Sequence, residues 1–293
     1  MDEGSKGNSF ETSTIEHLEQ VSEILQNGDI DGAKEFISKM IDATKEYKHQ
    51  VEHGRARNGG YADLVMRHLR AFISPIIIRS EDEIQNGTCF FVELEDKSIA
   101  VTNHHVIQHW LDLKKKGIQA EFRIGNVIYP NDLEPFIIDS CQQLDLATIL
   151  VPPDIKLAMG DIGTLFYEYE PPVTVNKGDM VFALGWPGAL REDQIKQSNI
   201  YVATILDEVI DTTDRRFIIQ FHRDDWTKRF GEKEIADLTS LGGLSGGPVF
   251  LLSDGYLHLV GVIYENMEGF IDGVQCVHFK HIKPDGHIES HNK

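Results

Sequence analysis

Three residue types that together cleave acyl bonds lie far apart in this chain: a hydroxyl, an imidazole and a carboxylate. The hydroxyl is Ser245, in Leu241-Gly-Gly-Leu-Ser-Gly-Gly-Pro-Val-Phe250. Paired glycines on both sides let the backbone take φ > 0 and let a substrate come close. On such a turn the N–H groups of Gly243 and Ser245 can face a developing oxyanion. The other reading of this stretch is a Gly-rich turn before a buried strand, Pro248–Leu252.

The candidate imidazoles stand in Asn103-His-His-Val-Ile107, just past a β-prone run, where a side chain can project into a cleft. Neighbours in an extended segment point to opposite faces, so spacing alone leaves His104 and His105 both open. With His109 they also form a His-His-x3-His run, which raises a zinc site. No carboxylate or cysteine lies at matching ligand spacing, so no metal is expected. The candidate carboxylate is Asp145, the single acid at the mouth of the apolar run Leu144-Asp-Leu-Ala-Thr-Ile-Leu-Val151. A buried aspartate needs a partner. A histidine ring N–H would supply one, and a turn or capping role is the alternative. A hydroxyl becomes a nucleophile when an imidazole takes its proton and a carboxylate fixes the imidazole's tautomer. The chain order His, Asp, Ser is one of the known orders of that constellation.

The elements that must position these groups change character along the chain. Residues 1–11 are polar and Gly/Ser/Glu-rich, as disordered starts are. Ser13 and Glu16 make a capping-box signature, and Ile15, Leu18, Val21, Ile24 and Leu25 fall on one helical face. Asn27-Gly28 stops that helix, and a second stripe runs from Ala33 to Val51. The pair predicts an antiparallel αα-hairpin that resembles one tetratricopeptide unit. It is either an extension packed on its own domain or a docking hairpin for a partner protein. A third, shorter helix is expected from Ala62 to Phe72. Beyond it the pattern becomes short β-prone runs: 73–78, 88–93, 98–102, a hairpin over 119–130 with a Gly-Asn turn, 135–138 and 144–151. Residues 160–172 read as a linking stretch. Further runs follow at 177–188, 200–209, 216–221, 248–252, 258–264 and 274–279, with a charged surface loop over 223–237. The tail histidines, His278, His281, His287 and His291, read as solvated.

The segments VTNHHVI, LDLA, GDMVFALGWPG and GLSGGPVF resemble the trypsin-like serine peptidases, nearest their HtrA/Deg-type bacterial branch. The resemblance covers residues 73–283. It selects His105 over His104 through the T-N-x-H-V motif, Asp145 through D-x-A and Ser245 through G-x-S-G-G-P. It implies a mainly β fold of two antiparallel six-stranded β-barrels, at about 73–155 and 156–283, with an N-terminal α-helical hairpin extension over 1–72. It also implies an S1 pocket with Thr239 at its base and Tyr264, Glu265 and Asn266 along its wall and substrate strand. An uncharged base argues against an Arg/Lys preference, unless Glu265 points inward. No PDZ domain is expected after the peptidase region. Leu244 stands where digestive enzymes carry the aspartate that receives a new N-terminal ammonium, so zymogen activation of that type is not expected.

Composition sets the remaining bounds. A hydrophobic content of 41% over 293 residues supports a proper core. Forty-seven acidic against 28 basic residues give a net charge of −19, which argues against nucleic acid and anionic membrane as partners. Cys89, Cys141 and Cys276 are too few and too scattered for a disulfide framework. No leader-like apolar segment opens the sequence, and no run approaches the roughly 18 apolar residues of a spanning helix. The expectation is a cytoplasmic serine endopeptidase acting on protein or peptide substrates without a cofactor. It would be held in check by a partner on the N-terminal helices or by loop ordering, as suits a bacterial stress or defence role. Two other readings use the same residues: a dormant protease-fold binding module, and an esterase.

Overall fold

The computed structural model describes residues 65, 68–81, 83–129, 132–160, 163–188, 192–193, 198–199, 202–220, 242–253, 256–267 and 273–289. Leu69–Leu251 and His258–Lys293 form one compact unit, and the elements that matter to the site belong to it. The helical hairpin expected over 13–51 lies outside the described residues. Of the third helix, Val65, His68 and Leu69 are helical, and a 3-10 turn spans Arg70–Phe72.

Sixteen strands and two α-helices follow among the described residues. The first half of the chain supplies β1 (Ile73–Arg79), β2 (Ile84–Glu93), β3 (Ser98–Thr102), α1 (His104–Lys115), β4 (Glu121–Ile124), β5 (Val127–Ile128), β6 (Ile137–Cys141), β7 (Leu146–Val151), α2 (Pro153–Gly160) and β8 (Tyr167–Glu168). The second supplies β9 (Met180–Gly185), β10 (Glu192–Asp193), β11 (Ser198–Asn199), β12 (Ala203–Thr212), β13 (Arg216–Gln220), β14 (Pro248–Ser253), β15 (Tyr256–Met267) and β16 (Gly273–His278). The second half closes into a six-stranded barrel in the order β12-β13-β16-β15-β14-β9. The first half is not a second six-stranded barrel of the same kind. It is an eight-stranded sheet in the order β5-β4-β1-β2-β3-β7-β6, with β8 added parallel to β2.

Local chemistry explains the pieces. Every residue of β3 is buried, as in a strand covered on both faces. Pro75 sits one residue before β1 begins to pair with β4 at Ile76, so its missing N–H interrupts no bond of that ladder. Helix α1 was not expected; histidines beyond a strand end suggested continued extended chain. Its stripe of Val106, Ile107, Trp110 and Leu113 is buried against the first sheet's core, and Gly117 ends it at φ 72°. The histidines are therefore successive residues of a first helical turn, not alternating residues of a strand.

The tail reading also needs correction. His278 and His281 are 6% and 2% exposed. His278 Nε2 donates to the Thr213 carbonyl at 2.9 Å, and burial pushes its pKa below the usual histidine value. The following residues run back along the first sheet. The Thr148 hydroxyl donates to the Gly286 carbonyl at 2.7 Å, and the Ile288 N–H donates to Asp139 Oδ2 at 2.8 Å.

Gly246, just after the serine, is held by contact as well as by dihedral. A Cβ on Gly246, at φ 89°, would lie 2.1 Å from the Thr88 carbonyl oxygen. One on Gly117 would meet nothing within 4 Å. Gly246→Ala should therefore cost at least about 3 kcal/mol, and Gly117→Ala only the dihedral strain of about 1–2 kcal/mol. Urea denaturation of both variants checks this; equal losses would contradict it.

Candidate active site

Asp145 closes the hairpin between β6 and β7. Cys141 pairs with Leu146, and four residues make the loop. The chain must turn sharply just before β7, and Asp145 does so at φ 53°, the left-handed region. Among non-glycine residues, Asp and Asn enter that region most readily. The turn brings the carboxylate to the start of α1. Its Oδ1 accepts the main-chain N–H of His105 at 2.8 Å, and its Oδ2 lies 2.7 Å from His105 Nδ1. An ionised carboxylate only accepts, so the ring proton sits on Nδ1 and Nε2 is left as the acceptor. The Asp145 side chain is 9% exposed and that of His105 is 54% exposed. The carboxylate is thus shielded and the imidazole meets solvent.

Ser245 lies on the turn before β14. Its neighbour Leu244 is 3% exposed and belongs to the barrel core. Gly185 makes room for it: a Cβ there would sit 2.7 Å from Leu244 Cδ2. Burying a leucine side chain stabilises by roughly 1.5–3 kcal/mol, so apolar packing anchors this turn. Gly243 takes φ 99°. The Gly242 carbonyl accepts from the Gly188 N–H at 2.7 Å, and the Leu244 carbonyl from the Gly247 N–H at 2.9 Å. In a trans peptide the N–H lies opposite the carbonyl, so the Gly243 and Ser245 N–H groups point away from those partners. Among the described residues neither N–H has an acceptor.

His105, Asp145, Ser245 and Tyr264 line one cleft of about 710 Å³, together with His104, Gln108, His109, Asp112 and Gln142. The Ser245 hydroxyl donates to the Tyr264 carbonyl at 3.3 Å rather than to the imidazole. The Arg216 guanidinium stands 4.2 Å from the Tyr264 ring centroid and donates to the Gln143 carbonyl at 3.3 Å.

The other candidate residues separate. His104 Nδ1 meets the Ser140 hydroxyl at 2.7 Å, away from Asp145. Glu265 and Asn266 pair with Gln275 and Val274 on β16, and their side chains lie outside the described residues, as does Thr239. The Cys89 thiol is buried and its pKa is raised, which removes it as a nucleophile. Two residues not singled out in the sequence matter here: Asn103, whose amide reaches the Asp145 carbonyl, and Thr88, whose hydroxyl reaches the Gly243 carbonyl. Asn103 stood in the histidine motif; nothing in the local sequence marked Thr88.

No protein-family model and no curated protein matches this chain. Several solved structures are similar in backbone course. A thermostable serine protease from an extremophilic microorganism is 11% identical, with 71% of this chain and 91% of that one covered at a TM-score of 0.43. The serine endoprotease of Yersinia pestis is 17% identical over 76% and 64%, also at 0.43. A human pathogenic astrovirus serine protease is 14% identical over 74% and 92%, at 0.38.

The left-handed turn and the helix-capping bond make Asp145 a stability residue. Asp145→Asn keeps a tolerant side chain and an acceptor oxygen; Asp145→Ala keeps neither. The alanine variant should be less stable than the asparagine one by about 1–2 kcal/mol. Chemical denaturation at neutral pH measures the gap, and none is expected if the turn is unstrained.

Proposed function

We propose that this chain is a serine endopeptidase acting on protein or peptide substrates. One observation carries the reading: the Asp145 carboxylate grips both the ring and the main chain of His105, in the cleft that also holds the glycine-flanked Ser245. In the proposed cycle His105 Nε2 takes the Ser245 proton as Oγ attacks the scissile carbonyl. Asp145 stabilises the resulting imidazolium and fixes its orientation. The Gly243 and Ser245 N–H groups donate to the oxyanion; one such donor contributes about 2.7–4 kcal/mol to lowering the barrier. His105 then returns the proton to the leaving amine, and water enters by the same route to hydrolyse the acyl-enzyme. By the sequence resemblance, Thr239 forms the base of the S1 pocket, and Tyr264, Glu265 and Asn266 line the substrate strand. Control by a partner bound to residues 1–72 completes the proposal.

A second reading, a dormant protease-fold binding module, is favoured by one fact: the Ser245 hydroxyl bonds to the Tyr264 carbonyl. Breaking one neutral hydrogen bond costs about 1 kcal/mol, and rotation about a single side-chain bond frees the hydroxyl. That small cost favours the peptidase.

Fluorophosphonate labelling should mark Ser245, as read by peptide mass mapping. Digestion of a peptide library by wild type should give a defined cleavage preference. Ser245→Ala and His105→Ala should each lower kcat by about 10³-fold or more. An intact library together with an unlabelled protein would make the binding module the better reading.

A further inference from the structure

We infer that Asn103 is a positioning residue that exchanges roles with Asp145 and thereby sets the imidazole. Asn103 is the N-cap residue of α1, with extended backbone at φ −84° and ψ 150°. An asparagine there ordinarily accepts an N–H of the first helical turn with its own side-chain oxygen. Here it makes no such bond. The first-turn N–H of His105 goes instead to Asp145 Oδ1 at 2.8 Å. In return, Asn103 Nδ2 donates to the Asp145 main-chain carbonyl at 2.7 Å. The cap of α1 is therefore supplied from a loop 40 residues away in sequence. The residue that gave up the cap holds that loop's carbonyl.

The exchange accounts for two otherwise costly features. Asp145 occupies φ 53°, which persists only where surroundings over-determine it. Its own N–H makes a long 3.3 Å bond to the Gln142 carbonyl, a weak hold on the turn. The Asn103 donor makes the shorter bond, at 2.7 Å, to the carbonyl on the other side of the same residue. Asn103 is 0% exposed, and its Oδ1 has no acceptor role within reach, so the side chain is placed for its donor alone. A carboxylate held from both ends can direct one oxygen to the main chain and the other to Nδ1.

The link to catalysis rests on the peptidase reading; the positioning itself does not. The test therefore has two readouts. The first is the low-field proton NMR signal of the His105 Nδ1–H shared with Asp145, assigned by its disappearance in His105→Gln. The second is turnover of a peptide found in the library digest. Asn103→Leu and Asn103→Ala should lose or broaden the shared-proton signal while the circular dichroism spectrum stays native. Their kcat should fall by about 10- to 100-fold with KM within about twofold, as expected for misplacement rather than lost binding. If the apolar variants do not fold, Asn103→Asp keeps the shape but cannot donate, and should lose the signal as well. An unchanged proton signal in folded variants, or none in wild type, overturns the inference. If wild type cleaves no peptide, the peptidase reading fails and the proton signal alone decides the role of Asn103.

Discussion

Thr88 is fully buried, and each of its polar groups crosses to another element. Its hydroxyl donates to the Gly243 carbonyl at 2.6 Å and accepts the Trp186 N–H at 2.8 Å. Its N–H donates to the Ser245 carbonyl at 3.0 Å, and its carbonyl accepts the Thr102 hydroxyl at 2.7 Å. One residue of β2 thus fixes the peptide that precedes Leu244 and the one that follows Ser245, and ties them to the strand leading into α1. A buried network of this kind strengthens each member, and the loss of one leaves others unpaired. The geometry of the serine turn therefore depends on the first sheet as much as on the barrel that carries it.

Around that node, apolar packing and polar pairing divide the task. Leu244 anchors the turn in the barrel core, and the glycines on either side accept backbone contacts that no Cβ could share. On the other wall of the cleft, a helix start receives a carboxylate, where the N-terminal end of the dipole favours negative charge. The His105 imidazole pairs with the shielded Asp145 carboxylate in the cleft that Ser245 also lines, and the Ser245 hydroxyl bonds main chain. Arg216 adds a brace by stacking on Tyr264 while holding the Gln143 carbonyl. It reaches from β13 to the loop that carries Asp145.

The candidate site residues stood out because their types are rare in such contexts: one acid at the mouth of an apolar run, one serine between glycine pairs. The β runs were legible from alternation and turn residues, and the Gly125-Asn126 turn stands where it was expected between β4 and β5. Helix α1 carries a helical stripe in Val106, Ile107, Trp110 and Leu113, but it follows β3 after a single residue, with no turn or glycine to separate it from the strand. The parallel pairing of β8 with β2 is two residues long, too short for any periodicity to mark. The burial of His278 depends on partners more than 60 positions away, the Thr213 carbonyl among them, and no local pattern encodes that. The role of Thr88 is non-local in the same way, with Gly243 lying 155 residues downstream.

The strap that follows β16 bears on how the molecule is made. Its bonds to Thr148 and Asp139 span 138 and 149 positions. Contacts of such separation form slowly, because loop closure must precede any gain from them. On a ribosome, chain emerges at roughly 5–20 residues per second. The hairpin that presents the acid is thus synthesised long before its last fastening exists. Assembly of the cleft is then completed only after residue 288 has emerged, and a shorter growing chain carries an unfinished cleft.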